Sequence, residues 1–135
     1  MTTITFRYVF DTSAILAVIL GEPEQQTVVG LLEQAREDDF AIGLPFLALM
    51  ECEYKLLRWF GVDEATTSLL LIQGWPCAVV ESSEEWRHEA ARIKAAGGLS
   101  LADAWIAALA VLSDAQLVYK DPEFDKVPSL RSVKL

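Results

Sequence analysis

Apolar residues recur along this chain in short blocks, and the spacing within each block separates strands from helices. Phe6 to Phe10, short and rich in aromatic and branched residues, predicts a strand that stops at Asp11-Thr12-Ser13, and Ala14 to Leu20 continues as an apolar helix. Gly21-Glu22-Pro23 breaks that helix, and helical spacing resumes over Glu24 to Arg36 through Val28, Val29, Leu31, Leu32 and Ala35. Phe40 to Leu44 reads as a second strand. Pro45 opens a helix to about Phe60, ended by Gly61, and Asp63 starts another that reaches Gly74. Cys77 to Val80 is a third strand. Ser82 and Glu85 have the spacing of a capping box, so a helix is expected from Ser83 to about Ala96, with Gly97-Gly98 ending it. Leu101 to Ser113 is a strongly apolar helix, and Gln116 to Tyr119 is a final buried strand before the acidic loop Asp121-Pro122-Glu123-Phe124-Asp125.

Strand and helix alternate almost throughout. That order predicts an α/β fold of three layers, α/β/α, with a mostly parallel central sheet and right-handed crossovers. Ligands of such sheets bind beyond the carboxyl ends of the strands, and Asp11 and Asp121 each follow a strand directly. With 135 residues and no repeat, linker or low-complexity segment, one domain spanning 1–135 is expected.

Composition narrows the chemistry. No apolar run approaches the ~18 to 20 uncharged residues of a membrane helix, and Met1 to Arg7 lacks the pattern of a secretory signal, so a cytoplasmic location is expected. Cys52 and Cys77 have no Cys or His neighbour at metal spacing and are expected to be buried as small hydrophobes. The one histidine, His88, lies among Glu and Arg and is expected in solvent, which argues against a histidine base. The formal charge of −9 argues against a broad basic surface for nucleic acid. An enzyme of this composition that acts on phosphates needs its acids gathered in a metal site that inverts the local field, or a partner that changes the surface.

Four places hold such acids. Asp11 lies between strand and helix, where a plain helix cap is the alternative, although Thr12 or Ser13 could supply that cap instead. Asp103 is the one charged residue between Leu101 and Leu112; a helix apolar nearly all round is buried, and a buried carboxylate needs a partner or a metal. A capping box with Ser100 is its alternative. On the helix opened by Pro45, the wheel puts Glu53 inside the apolar arc of Phe46, Leu49, Met50, Leu57 and Phe60, while Glu51 lies at the margin and can pair with Lys55. Asp121 precedes Pro122, a common turn signal, and Asp125 is close by. Gathered at one sheet edge, these oxygen ligands would suit Mg2+ or Mn2+ and phosphodiester hydrolysis.

The segments Val9 to Leu16, Leu49 to Arg58, Leu99 to Ala110 and Val118 to Phe124 resemble, in order, the four acidic motifs of PIN domains, most closely those of VapC-type toxins. The resemblance implies a metal-dependent endoribonuclease, the toxin of a toxin–antitoxin pair, with Asp11, Glu51, Asp103 and Asp121 holding one or two Mg2+ or Mn2+ ions. It selects Glu51 over Glu53, which becomes a supporting residue. It implies a role for Ser13 in orienting Asp11 or a water, and products with a 5′-phosphate and a 3′-hydroxyl. One departure is Tyr119, where the family often has Thr or Ser before the fourth acid. The implied partners are RNA, a cognate antitoxin and a second copy in a homodimer, with no membrane. Trp59, Phe60, Trp75 and Trp86 are candidate interface residues, and Lys55, Arg58, Arg87 and Lys94 candidate substrate contacts. Two other classes remain open: a catalytically silent binding module, and an Asp-based phosphotransfer or receiver domain. A phosphotransfer enzyme usually has a second Asp two residues after its nucleophile, where this chain has Ser13.

Overall fold

The computed structural model describes residues 5–135. Its strands are β1 (Tyr8–Phe10), β2 (Ile42–Pro45), β3 (Cys77–Val80), β4 (Gln116–Tyr119) and β5 (Arg131–Lys134). Its helices are α1 (Thr12–Ile19), α2 (Gln25–Glu37), α3 (Phe46–Phe60), α4 (Val62–Gln73), α5 (Glu84–Ala96) and α6 (Leu101–Leu112), with a 3-10 turn over Pro122–Lys126. All strand pairs are parallel, in the order β3-β2-β1-β4-β5, and helices cover the sheet to give three layers, α/β/α. Val9, Phe10, Ile42, Leu44, Leu117 and Val118 are all essentially solvent-free, as expected for strands buried on both faces.

The chain winds outward from β1 to β3, then crosses back to place β4 on the other side of β1. The point where strand order reverses therefore lies between β1 and β4, and their carboxyl ends open together. Residues more than 100 positions apart are paired there: Tyr8 with Gln116, Val9 with Leu117 and Phe10 with Val118.

Several expectations are corrected by the packing. Gln116–Tyr119 is not the last strand, since Arg131–Lys134 adds a mostly exposed fifth at the sheet edge. Pro45 ends β2 and caps α3 rather than opening the helix. Ser83, not Ser82, caps α5 by accepting the Trp86 amide at 3.3 Å. Helix α3 buries Ala48, Cys52 and Leu56, four residues apart, and of the arc expected to be internal only Phe46 and Leu49 pack against the core, while Met50, Leu57 and Phe60 are exposed. Cys52 is buried as expected, but Cys77 only half so. His88 is largely solvent-exposed, beside Glu84.

Helix α6 is fixed by aromatic packing. Phe46, Trp86 and Trp105 meet edge to face, with Trp86 and Trp105 5.0 Å apart, and the Trp86 indole donates to the Trp105 carbonyl at 2.6 Å. Trp86 is thus core, Trp75 half-buried, and only Trp59 and Phe60 of the four expected interface residues are exposed. The turn that leads into α6 needs Gly97 and Gly98, whose φ angles of 89° and 94° strain any residue with a Cβ.

Close packing at the centre of the sheet is set by Gly43, where an added Cβ would sit 3.0 Å from the Phe6 ring. Overpacking of this kind costs about 1 to 3 kcal/mol. Gly43→Ala should lower the urea midpoint accordingly, and an unchanged midpoint would show that the Phe6 ring yields freely.

Candidate active site

At the carboxyl ends of β1 and β4 lies a cleft of about 230 Å³ lined by Asp11, Glu51, Asp103 and Asp121, together with Thr12, Ser13, Lys55, Trp59 and Lys120 among others. The four expected acids thus meet, each from a different element. Asp11 ends β1, Glu51 lies on α3, Asp103 in the first turn of α6, and Asp121 follows β4.

Asp11 is 4 % exposed and serves as helix cap and cleft residue at once. Its Oδ1 accepts the Ala14 amide at 2.9 Å and the Ser13 hydroxyl at 2.7 Å, so neither Thr12 nor Ser13 replaces it as cap. Ser13 in turn accepts the Lys120 amide at 3.0 Å, which ties the end of β4 to the start of α1. The Lys120 side chain bridges Glu24 at 3.1 Å and Glu22 at 3.5 Å. Asp103 has its amide capped by the Ser100 hydroxyl at 3.2 Å, so the capping reading and the cleft reading both hold.

Asp121 caps the 3-10 turn by accepting the Glu123 amide at 3.0 Å. Carboxylate oxygens of Asp103, Asp121 and Glu123 all lie within 4.8 Å of one another. Glu123 is an acid of this cluster that sequence reading did not single out; the signal available was its place two residues after Asp121, across Pro122. Asp125 is engaged elsewhere, accepting from the Tyr119 hydroxyl and, at 2.6 Å, from Lys134. Tyr119 is buried and packs on Phe124, so the departure at this position turns away from the acids to hold the 3-10 turn and β5. Glu53 is exposed and does not line the cleft. Of the four basic residues considered, only Lys55 lines it: Arg58 stacks over Tyr54, and Lys94 donates to the Leu99 carbonyl.

The electrostatics are those of an uncompensated acid pocket. Burial pushes the Asp11 carboxyl up to about 7, against the lowering effect of its bonds from Ser13 and Ala14, with Asp103 and Asp121 adding repulsion. Burial, then repulsion from Asp121, Glu51 and Glu123, raises Asp103 to about 6. Among the described residues, Glu51 Oε1 and Thr12 Oγ1 are buried with no hydrogen-bond partner. The clustered carboxylates of Asp103, Asp121 and Glu123, with Asp11 and an orphaned Glu51 oxygen at the same cleft, fit a hard divalent cation of the Mg2+ or Mn2+ kind.

Two consequences can be measured. Raised carboxyl pKa values mean that the metal-free folded chain holds more protons than the unfolded chain between about pH 4 and 7, so stability must fall as pH rises through that window. Melting in EDTA should be highest near pH 4 to 5 and lower at pH 8; a rise instead would contradict burial as the cause. Ser13→Ala removes a donor to Asp11 and the acceptor of a strand-end amide, and should cost about 1 to 3 kcal/mol in denaturant unfolding.

The family described as PIN domain matches residues 8–130. No protein among the curated sequences matches. Among solved structures, VapBC2 from Rickettsia felis, bound to a DNA fragment from its promoter, superposes with a TM-score of 0.80 at 17 % identity, covering 95 % of this chain and 98 % of that one. DNA-bound VapBC from Salmonella typhimurium gives 0.75 at 17 %, covering 96 % and 98 %. Mycobacterium tuberculosis VapC20, a Sarcin-Ricin loop cleaving toxin, gives 0.65 at 16 %, covering 90 % and 95 %. The likeness establishes a shared fold, and with a family match over nearly its whole length, this chain belongs to the PIN domain family.

Proposed function

We propose that this chain, as one nuclease domain over residues 1–135, is a metal-dependent endoribonuclease and the toxin of a toxin–antitoxin pair. The observation that carries the reading is the convergence of Asp11, Glu51, Asp103 and Asp121 on one cleft, with a buried Glu51 oxygen left without a partner. Acids so placed, with no histidine or cysteine among the residues lining the cleft, suit a reaction whose charge is carried by a cation rather than by a side-chain nucleophile.

Asp11, Glu51, Asp103 and Asp121 would hold Mg2+ or Mn2+, and Glu123 is close enough to join Asp103 and Asp121. When bound, such a cation lowers the pKa of a water and offsets charge on the phosphate, which are the two requirements of phosphodiester hydrolysis. Ser13 holds Asp11 in one orientation by donating to Oδ1, which leaves Oδ2 for the cleft. Asp121 stays in place because its own Oδ1 is the cap of the 3-10 turn. Cleavage by this route gives a 5′-phosphate and a 3′-hydroxyl.

An antitoxin and a second copy of the chain are the partners we assign to it. Support for a protein partner comes from the exposed apolar residues of α3 and α4, among them Met50, Phe60, Val62, Leu70 and Leu71. Among the described residues no helix is long and apolar enough to cross a membrane.

Purified protein should cut a structured RNA pool with Mg2+ or Mn2+ and not with EDTA, and Asp103→Asn should abolish cutting while keeping the fold. The cation should also raise the melting temperature, since a ligand at 100 times its Kd adds about 2.7 kcal/mol. Undiminished activity in Asp103→Asn would sink the site assignment; neither cutting nor a metal-linked melting shift would favour a silent binding module.

A further inference from the structure

Glu51, Lys55 and Trp59 follow one another at four-residue intervals on α3, and all three line the acid cleft. Four residues of α-helix advance roughly 6 Å, so this stripe runs outward from the acids as carboxylate, ammonium and indole. Lys120, the other cation of the cleft, is committed to Glu22 and Glu24, whereas Lys55 makes no ion pair among the described residues. Trp59 is 52 % exposed, with its ring braced edge to face by Phe60 at 6.4 Å. A tryptophan this open is not a core residue, and the cleft it lines is mostly polar and charged, with Leu16 and Leu20 its other apolar residues.

Resting on the ribonuclease reading, we infer that this stripe is the substrate-positioning track. Lys55 takes the phosphate next to the scissile one, and Trp59 stacks an unpaired base of the same strand. The charge of the chain favours this arrangement. The net charge of −9 argues against a broad basic surface, so affinity is assigned to a local cation and to stacking, which acts on a neutral base face. The substrate class that follows is RNA with an unpaired, splayed nucleotide beside the cut, since a base held in a duplex cannot reach an aromatic side chain.

Binding is read without turnover on an Asp103→Asn background, by anisotropy of a fluorescein-labelled single-stranded RNA. Adding Trp59→Ala should weaken binding roughly 5- to 150-fold, the range of one lost base–aromatic stack, and Trp59→Phe should recover most of it. Lys55→Gln should reduce the dependence of log affinity on log salt by about one phosphate contact. A perfect duplex of the same sequence should show little response to Trp59→Ala. Gln34→Ala, an exposed neutral change on α2 away from the cleft, should leave binding as it was. Equal affinity of Trp59→Ala and its parent would overturn the inference, as would a change in oligomeric state by light scattering in place of a change in RNA affinity. If wild type cleaves RNA while the Trp59 variants bind normally, the stacking track fails and the nuclease reading stands; if wild type neither cleaves nor shows the stacking response, both fail.

Discussion

The parallel pairing of β1 with β4 is the constraint on which the rest of the molecule depends. It joins segments more than 100 residues apart, and it extends past the strands through the Asp11 amide on the Val118 carbonyl and the Lys120 amide on the Ser13 hydroxyl. The acids that follow each strand are thereby brought to one opening. Two carboxylates about 4 Å apart repel by roughly 4 kcal/mol at an effective dielectric of about 20, so folding concentrates a charge that must be neutralised by protons or a cation. The fold therefore stores in the cleft a repulsion that a bound cation would relieve.

Much of this was legible in the chain. Alternating strand and helix patterns were enough for the layers, because parallel strands are buried on both faces and read as short apolar runs. Asp11 stood out because it directly follows a strand and precedes a helix, and Asp103 because it is the one charged residue of an apolar helix. Other features were hidden for identifiable reasons. β5 is an edge strand of sequence Arg-Ser-Val-Lys, with one side to solvent, and so carries no apolar signature. The wheel of α3 misled because a helix can carry two apolar faces: the narrow one of Ala48, Cys52 and Leu56 is fully buried, while the broader one is split, with Phe46 and Leu49 against the core and Met50, Leu57 and Phe60 at the surface. Small residues mark the buried face there because the helix lies close on its neighbours. Glu51 is consequently a residue that periodicity passed over and the family pattern recovered.

The same two-faced helix shapes how an acidic nuclease can work. Global charge sets long-range approach, while the charges lining a cleft set what happens inside it. Here the helix that supplies Glu51 also carries the unpaired ammonium of Lys55 and the aromatic ring of Trp59, so the groups that would bind and those that would cut share one rigid element. A neighbouring protein that covers the outer face of α3 would sit within one helical turn of the cleft.

Asp11 spends one carboxylate oxygen on closing a helix and keeps the other for the cleft. An acid at this position thus has a folding role whether or not the chain is active, and its presence alone says little about activity. Glu51 caps nothing, and its inner oxygen has no structural task. Among diverged relatives, selection that protects chemistry alone would therefore be read at that glutamate, in the second turn of α3.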